Sequence, residues 1–384
     1  MSDNNLAIKT EMLIWARKRA GMGMPALKKQ FPKLAKWESG EVQPTLKQLE
    51  DFAHVVHIPI GYLFLSKPIN EPMPISDFRT LANHIDTHPS PNLLDTLYLC
   101  QQRQDWYRDY AHINALPKLD FIGSTTIEKK PAEIAETIRK ILRISLEDRQ
   151  HTSNSDVLRQ FIAKVEDLGI LVMSSSIVGC NSHRKLDVKE FRGFVLVDDI
   201  APIIFINAAD SKAAQIFTLA HELAHLWVGE SGVFDIEICH SPKQNIERWC
   251  NAVAAEILVP IKSIREEYKQ TQPLREQVLR LAYLFKVSTL VVLRRLLDAK
   301  FIEEGQFWQI YNEEMKKNKD FEKKNSKGGD FYRTLGTRTG KRFARAVLTS
   351  TLEGQTLFRD AFRMLGIKKT VTFYKTAGEL EVIK

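Results

Sequence analysis

The sequence predicts an α+β protein in which a small β-sheet and one apolar helix are flanked by all-helical segments. Two short runs rich in β-branched and aromatic residues, GFVLV and PIIFI, precede the apolar helical stretch 213–229. Apolar residues at helical spacing dominate residues 6–66 and recur through most of the remaining chain. At 384 residues the chain exceeds one ordinary hydrophobic core, so two to four domains are expected.

The composition favours a reduced protein with acidic partners. The chain carries 55 basic and 47 acidic residues, a net charge of +8. Such a balance suits nucleic acid or another acidic partner, although alone it indicates only nonspecific attraction. The four cysteines are scattered without CxxC spacing, no apolar signal opens the chain, and no apolar run reaches the length of a membrane span. We therefore expect a cytoplasmic protein with no membrane partner.

The first 66 residues predict a small helical module. A helix over Leu6–Ala20 is expected to end at Gly21 and Gly23, and a short helical stretch follows over Lys28–Trp37. The next helix opens at PTLKQLEDFAHVV, where Thr45 is the expected N-cap.

A linker and a bracing helix precede the sheet. Residues 67–90 are rich in proline, and Leu93–Ile113 predicts one long helix. Two more helices are expected, one beginning at Pro131 and one over Asp156–Leu168. ILVMSS then begins the sheet, and Asp198-Asp199 turns the chain between the two later strands. The expected buried stripe of the long helix is Leu94, Leu97, Cys100, Trp106 and Tyr110.

The motif HELAH lies at the centre of the apolar stretch. Residues four apart share one face of a helix, so His221 and His225 can bind one metal ion. Two imidazoles suit zinc, and the neighbouring Glu222 can take a proton from water that the metal activates. HExxH is therefore typical of a zinc peptidase. A chance match is the alternative, but a mostly apolar helix that ends at Gly229 has little use for three polar groups without a metal.

A third ligand is expected from the helix that follows. Ile246–Pro260 is alanine-rich, and Glu247 lies 22 residues beyond His225, far enough for the chain to return antiparallel. Asn251 shares its face and could accept a hydrogen bond from the second ring N–H of a zinc-bound histidine. Glu256 is the rival ligand, about a quarter turn off that face. Four residues in the intervening loop are expected to be ordinary loop residues: Asp235, Glu237, Cys239 and His240.

These paired motifs resemble a known family. FTLAHELAHL followed by ERWCNAVAAEILVP resembles the ImmA/IrrE family of gluzincin-type metallopeptidases, and FRGFVLVDDIAPIIFIN resembles the strand pair before its zinc helix. The resemblance implies that His221, His225 and Glu247 bind zinc and that Glu222 is the catalytic base. It also implies a protein substrate, because an edge strand in such folds holds an extended peptide by strand addition.

The N-terminal module resembles a DNA-binding domain with a shortened motif. WESGEVQPTLKQLEDFA and IPIGYLFL resemble the phage-repressor-type (XRE) helix-turn-helix domain that often precedes the peptidase in long family members. In such domains about fourteen residues separate the first Leu from the Trp of W-E-x-G, whereas ten separate Leu27 from Trp37. Phe31 and Pro32 stand where polar base-reading side chains are expected. Contact with DNA phosphates and a merely solvated face are the alternatives for six basic residues: Arg17, Lys18, Lys28, Lys29, Lys33 and Lys36.

The C-terminal part of the chain is rich in basic residues, and its sequence does not indicate a function. LAYLFKVSTLVVLRRL follows helix-turn-helix spacing, and packing on the peptidase is the alternative to DNA contact. Residues Lys316–Lys327 predict a solvated linker, and eleven basic against three acidic residues lie from Lys316 to Arg345. GGDFYRT, TGKRFARAVLTSTLEGQTL and FRDAFRMLGIKK resemble the C-terminal extension of long family members.

Four parts are therefore expected. They are a helix-turn-helix module (1–70), a linker with the bracing helix (71–125), a zinc peptidase domain (126–300), and a linker with a small basic C-terminal domain (301–384). We expect a zinc-dependent endopeptidase that cleaves a specific regulatory protein encoded nearby, such as a repressor, antitoxin or stress regulator of a mobile element or defence locus. The alternative is a DNA-binding regulator or antitoxin with a non-catalytic zinc site. Glu222 favours catalysis, because a purely structural zinc site needs no base.

Overall fold

The computed structural model describes residues 8–69, 74–77, 89–145, 149, 152–234, 243–321 and 331–383. The chain divides into two units, Met1–Pro74 with His84–Leu97 and Ile75–Asn83 with Tyr98–Lys384. The sheet, the HELAH helix and the C-terminal helices all belong to the second unit. Within the described residues, no helix combines the length and the apolar character needed to cross a bilayer.

The first unit packs short helices around an aromatic core. Its elements are α1 (Thr10–Arg19), α2 (Met24–Lys28), α3 (Leu34–Glu38), α4 (Leu46–Val55) and a 3-10 helix (Ile60–Phe64). The rings of Phe31, Trp37 and Phe52 are buried, with centroids 5.6 to 6.4 Å apart. The predicted N-cap is confirmed, since the Thr45 hydroxyl accepts a hydrogen bond from the Gln48 N–H at 3.3 Å.

Two helical boundaries in this unit differ from the prediction. The first helix begins at Thr10, after Ile8 and Lys9 in extended or irregular backbone. The predicted stretch Lys28–Trp37 is two helices, because α2 ends at Lys28 and α3 begins only at Leu34. The break between the two helices contains Phe31, whose side chain is buried in the core, and Pro32, which has no backbone N–H to donate within a helix.

The bracing helix α5 (Pro91–Ile113) is confirmed in extent, and Leu94, Leu97 and Cys100 of the predicted stripe are buried, but the C-terminal part of the buried face differs from the prediction. Tyr107 and Gln104 are buried, whereas Trp106 and Tyr110 are half-buried. The Gln104 amide donates to the Leu196 and Ala201 carbonyls at 3.1 and 2.9 Å. A buried polar side chain thus fastens this helix to the sheet, and apolar periodicity could not predict that contact.

The sheet has five strands in the order β1-β5-β3-β4-β2. They are β1 (Ser76–Asp77), β2 (Leu171–Ser175), β3 (Gly193–Leu196), β4 (Ile203–Asn207) and β5 (Gly232–Phe234). The predicted pairing of GFVLV with PIIFI is confirmed, because β3 and β4 are antiparallel. Asp198 closes their turn by accepting from the Ile200 and Ala201 N–H groups at 2.9 and 2.8 Å. Strand β1 comes from the predicted linker and runs parallel to β5, so part of that linker belongs to the sheet.

Eight further helices of the second unit are described before the C-terminal helices. They are α6 (Pro131–Leu142), α7 (Asn154–Asp167), α8 (Lys212–Val228), α9 (Lys243–Leu258), α10 (Ile261–Glu267), α11 (Leu274–Phe285), α12 (Thr289–Asp298) and α13 (Glu304–Phe321). The predicted stop of α8 is confirmed, because Gly229 adopts the left-handed conformation with φ 84°. The prediction of a linker over Lys316–Lys327 is wrong for its first residues, because α13 continues to Phe321. Its remaining residues lie outside those described.

The C-terminal helices are α14 (Phe331–Thr339), α15 (Lys341–Leu352), α16 (Phe358–Leu365) and α17 (Thr370–Glu379). Arg342 anchors them to α7, where its backbone N–H donates to the Glu166 carboxylate at 3.1 Å and its side chain donates to the Glu166 carbonyl at 3.1 Å. A Cβ at Gly340 would lie 2.7 Å from the Val172 carbonyl oxygen of β2. The C-terminal helices therefore pack closely on the end strand of the sheet.

The anchoring carboxylate predicts a dependence of stability on pH. Burial raises the pKa of Glu166 to about 7, although the Arg342 N–H lowers it. Because the folded chain binds this proton more tightly than the unfolded chain, the contribution of Glu166 to stability falls as pH rises from about 4.5 to about 7. Glu166→Gln does not titrate, so its stability relative to the wild type should improve by about 3 kcal/mol across that range. Urea unfolding at a series of pH values measures this difference, and the exposed change Glu133→Gln is the control. A difference that stays constant with pH would contradict the prediction.

Candidate metal centre

Helices α8 and α9 lie side by side and bring three ligand-type side chains together. His221 and His225 project from one face of α8, and Glu247 projects from the first turns of α9. The Glu247 carboxylate lies 3.2 Å from His221 Nε2 and 3.1 Å from His225 Nε2. One ligand atom from each residue falls within 4.8 Å of the other two. The structure thus assembles the three residues that were predicted to bind a metal.

The spacing of these atoms fits a small tetrahedral cation. Zinc bonds of roughly 2.0–2.2 Å place neighbouring tetrahedral ligands about 3.3 Å apart. The two imidazole Nε2 atoms are 3.0 Å apart, close to that value. Both face the carboxylate and one another, and a shared cation satisfies all three groups at once.

Asn251 supports the first histidine from one turn further along α9. Its Oδ1 lies 3.1 Å from His221 Nδ1, so it can accept the proton on that nitrogen and leave Nε2 as the ligand atom. Glu247 and Asn251 are four residues apart on α9. They therefore share a helical face, and both side chains reach the candidate metal centre. Asn251 therefore lies where the sequence predicted it, beside the second ring nitrogen of a candidate histidine ligand.

Glu222 lies in a tightly packed environment beside the candidate metal-binding group. Its side chain is fully buried, and neither carboxylate oxygen has a hydrogen-bond partner among the described residues. A Cβ at Gly193 would come within 2.9 Å of Glu222 Oε1 and 2.5 Å of Thr218 Cγ2. Only glycine leaves room for the carboxylate at this point of β3. Gly193 was not among the predicted site residues, although a glycine inside a strand often marks the close approach of another group.

Burial sets the protonation of these groups. It lowers the pKa of His221, which favours the neutral imidazole that can bind a metal. Burial would raise the pKa of Glu247, but its interactions with His221 and His225 hold it at about 2. Glu222 has a pKa well above its usual value, first because of burial and then because of the Glu247 charge. One carboxylate is therefore held as an anionic ligand, while the other retains a proton readily.

The rival ligand Glu256 does not reach the centre. Its carboxylate pairs with the buried guanidinium of Arg295 on α12 and accepts from the Ile261 N–H at 3.3 Å. Arg295 also donates to the Val259 carbonyl at 2.9 Å, and Arg149 donates to the Leu258 carbonyl at 3.0 Å. These arginines satisfy the last carbonyls of α9. The four loop residues considered alongside Glu256 lie outside the described residues: Asp235, Glu237, Cys239 and His240.

The basic residues predicted to contact DNA fall into two groups. Arg17 forms a two-pronged pair with Glu38, at 2.6 and 3.0 Å, so it joins α1 to α3 instead of presenting an unpaired charge. The other five are exposed, and phosphate contact stays a prediction for them: Lys18, Lys28, Lys29, Lys33 and Lys36. Phe31 is buried, so it offers nothing to a base edge. In the second helix-turn-helix-like stretch, Arg294 pairs with Asp298 at 3.1 Å and Arg295 is buried.

Comparison with known protein families agrees with the location of the centre. Residues 165–297 match the Peptidase_M78 family, described as an IrrE N-terminal-like domain. This match includes every residue of the metal-binding group and supports a metallopeptidase-like function. Residues 339–379 match a domain of unknown function, DUF8813. No curated protein matches the chain.

Proposed function

We propose that the chain is a zinc-dependent endopeptidase that cleaves a specific regulatory protein, such as a repressor, an antitoxin or a stress regulator of a mobile element or defence locus. The observation that carries the proposal is the convergence of His221, His225 and Glu247 beside the carboxylate of Glu222, which has no hydrogen-bond partner in the described part of the chain. A structural metal site needs the first three residues but has no use for the fourth.

In this proposal each residue of the centre has one role. His221, His225 and Glu247 would hold the zinc ion, and Asn251 would orient His221 through its Nδ1 proton. Zinc, when bound, would polarise the attacking water and the scissile carbonyl.

Glu222 would serve as the general base and then as the general acid. Its carboxylate would take a proton from the attacking water and return it to the departing amine nitrogen. Burial supports the second step, because a carboxyl group with a raised pKa holds the proton until the amine accepts it. The close approach of Gly193 to the carboxylate helps to keep it in place.

Burial also supports a narrow choice of substrate. His221 and Glu222 are fully buried, and the Glu247 side chain is only 13% exposed. A scissile bond must therefore be delivered into a recessed centre, which an extended segment of a fitting partner can do and an arbitrary folded surface cannot. We expect general protein substrates such as casein to be cut slowly or not at all.

The test compares cellular proteomes with the wild-type chain and with Glu222→Gln. We expect one protein, or a few, to lose full-length signal and yield fragments only with the wild type, and gene products encoded nearby are examined first. A biological effect that Glu222→Gln retains in full, with no fragment in either sample, would overturn the peptidase proposal. That outcome would favour a regulator with a non-catalytic metal site.

A further inference from the structure

The C-terminal helices expose an apolar cluster that the metal centre does not use. Phe358 opens α16 and its ring lies 6.4 Å from that of Tyr374 on α17. These rings are 40% and 45% exposed, and the neighbouring aliphatic side chains are more open, Leu357 at 63% and Val371 at 78%. We call these four residues the C-terminal apolar patch. Val371 and Tyr374 are three residues apart on one face of α17, and the ring pair of Phe358 and Tyr374 joins α16 to α17.

The aromatic rings of the patch pack on side chains of α16 and α17. Phe358 contacts the fully buried Phe373 with ring centroids 5.1 Å apart, and Phe362 lies 6.1 Å from Phe358. Ala361 and Leu365 of α16 are also fully buried. A partner would therefore meet a preformed surface and would lose little side-chain entropy in ordering it.

The segment that carries the patch is predominantly basic. Residues 357–375 contain five basic side chains and one acidic side chain, Asp360. The Arg359 and Arg363 side chains are 85% and 77% exposed, and each lies 3.7 Å from that single carboxylate. The three remaining basic residues are also exposed: Lys368, Lys369 and Lys375. An acidic partner is favoured on electrostatic grounds.

We propose that this surface docks an acidic amphipathic helix carried by the protein substrate, which makes it a recognition site outside the metal centre. The inference rests on the proposed endopeptidase function. Such a helix places apolar side chains on the patch and carboxylates beside the five cations, so both features of the surface are used. A nucleic acid would use the cations and the rings, but it would leave Leu357 and Val371 without an apolar counterpart.

Binding is tested with the full chain carrying Glu222→Gln, so that no cleavage can occur. The probe is a fluorescent peptide of about 18 residues with Leu at i, i+3, i+4 and i+7 and Glu on the remaining face. We expect it to bind at least about tenfold more tightly than a shuffled peptide of equal composition, and to weaken with salt. Val371→Glu and Arg363→Glu should each weaken binding about fivefold or more. Leu279→Glu makes a matched change at another exposed apolar site, 62% exposed on α11, and should leave affinity unchanged.

Three results would overturn the docking proposal. They are equal binding of the ordered and shuffled peptides, no effect of Val371→Glu, or tighter binding of oligothymidine than of the peptide at the same residues. Once the substrate is known, Val371→Glu should also raise KM about fivefold with kcat unchanged, and an unchanged KM would contradict us. Because binding is measured without cleavage, failure of these tests leaves the peptidase proposal intact, and failure of the proteome comparison leaves the binding result intact.

Discussion

Replacing Glu222 by glutamine is expected to lower the rate of substrate cleavage by at least about 100-fold while the bound metal is retained. The change keeps the size of the side chain and removes only its ability to accept a proton. The carboxylate has no hydrogen-bond partner among the described residues, so its loss breaks no hydrogen bond within that part of the chain. Single-turnover kinetics on the protein identified in cells, together with metal analysis, measure both effects.

The control for this prediction is Glu230→Gln, the same chemical change at an exposed position just beyond Gly229. It should retain the wild-type rate. Loss of the metal in Glu222→Gln would mean that Glu222 is a ligand, which contradicts the role assigned to it. A rate within threefold of the wild type, with metal bound, would show that another group takes the proton.

Replacing Glu247 by glutamine is expected to reduce zinc affinity by at least about 100-fold. The carboxylate supplies the only negative charge in the group of three, and the neutral amide oxygen of glutamine is a much weaker ligand. Mass-spectrometric metal analysis after dialysis against a chelator measures the occupancy. Asn251→Ala should reduce zinc affinity by a smaller factor, about tenfold, because it removes only the hydrogen bond that orients His221.

Glu256→Gln is the matched control on the same helix. It should retain zinc and lower the free energy of unfolding, because the buried Arg295 then loses one of its two carboxylate partners and keeps only Asp298, at 3.3 Å, among the described residues. The reverse pattern, with zinc lost in Glu256→Gln and kept in Glu247→Gln, would reject the ligand assignment.

Much of the centre could be predicted because it is organised by single helices. His221 and His225 are four residues apart on one helix, and Glu247 and Asn251 are four residues apart on the next. Helical geometry alone places each pair on a common face. The cap at Thr45, the stop at Gly229 and the antiparallel strand pair also follow from local residue preferences, and the structure confirms them.

Contacts between distant segments could not be predicted in the same way. The first part of the stripe predicted for α5 is buried, but the prediction continued it through Trp106 and Tyr110, whereas Gln104 and Tyr107 are buried in that part of the helix. The helix packs against the sheet through polar as well as apolar groups, and apolar spacing detects only the latter. Strand β1 was not predicted for a related reason. Its two residues are too few to show an alternating pattern, and they form a strand only because they pair with the edge of β5.

The sequence by itself determined the candidate metal ligands, the helices that carry them and the short spacing between Leu27 and Trp37. Only the tertiary structure decided between Glu247 and Glu256, because the partner of Glu256 is Arg295, 39 residues away on another helix. It likewise assigned Arg17 to Glu38 and placed Gly193 against Glu222. Helical periodicity is a property of consecutive residues, whereas the partner of a charged side chain depends on which helices pack together.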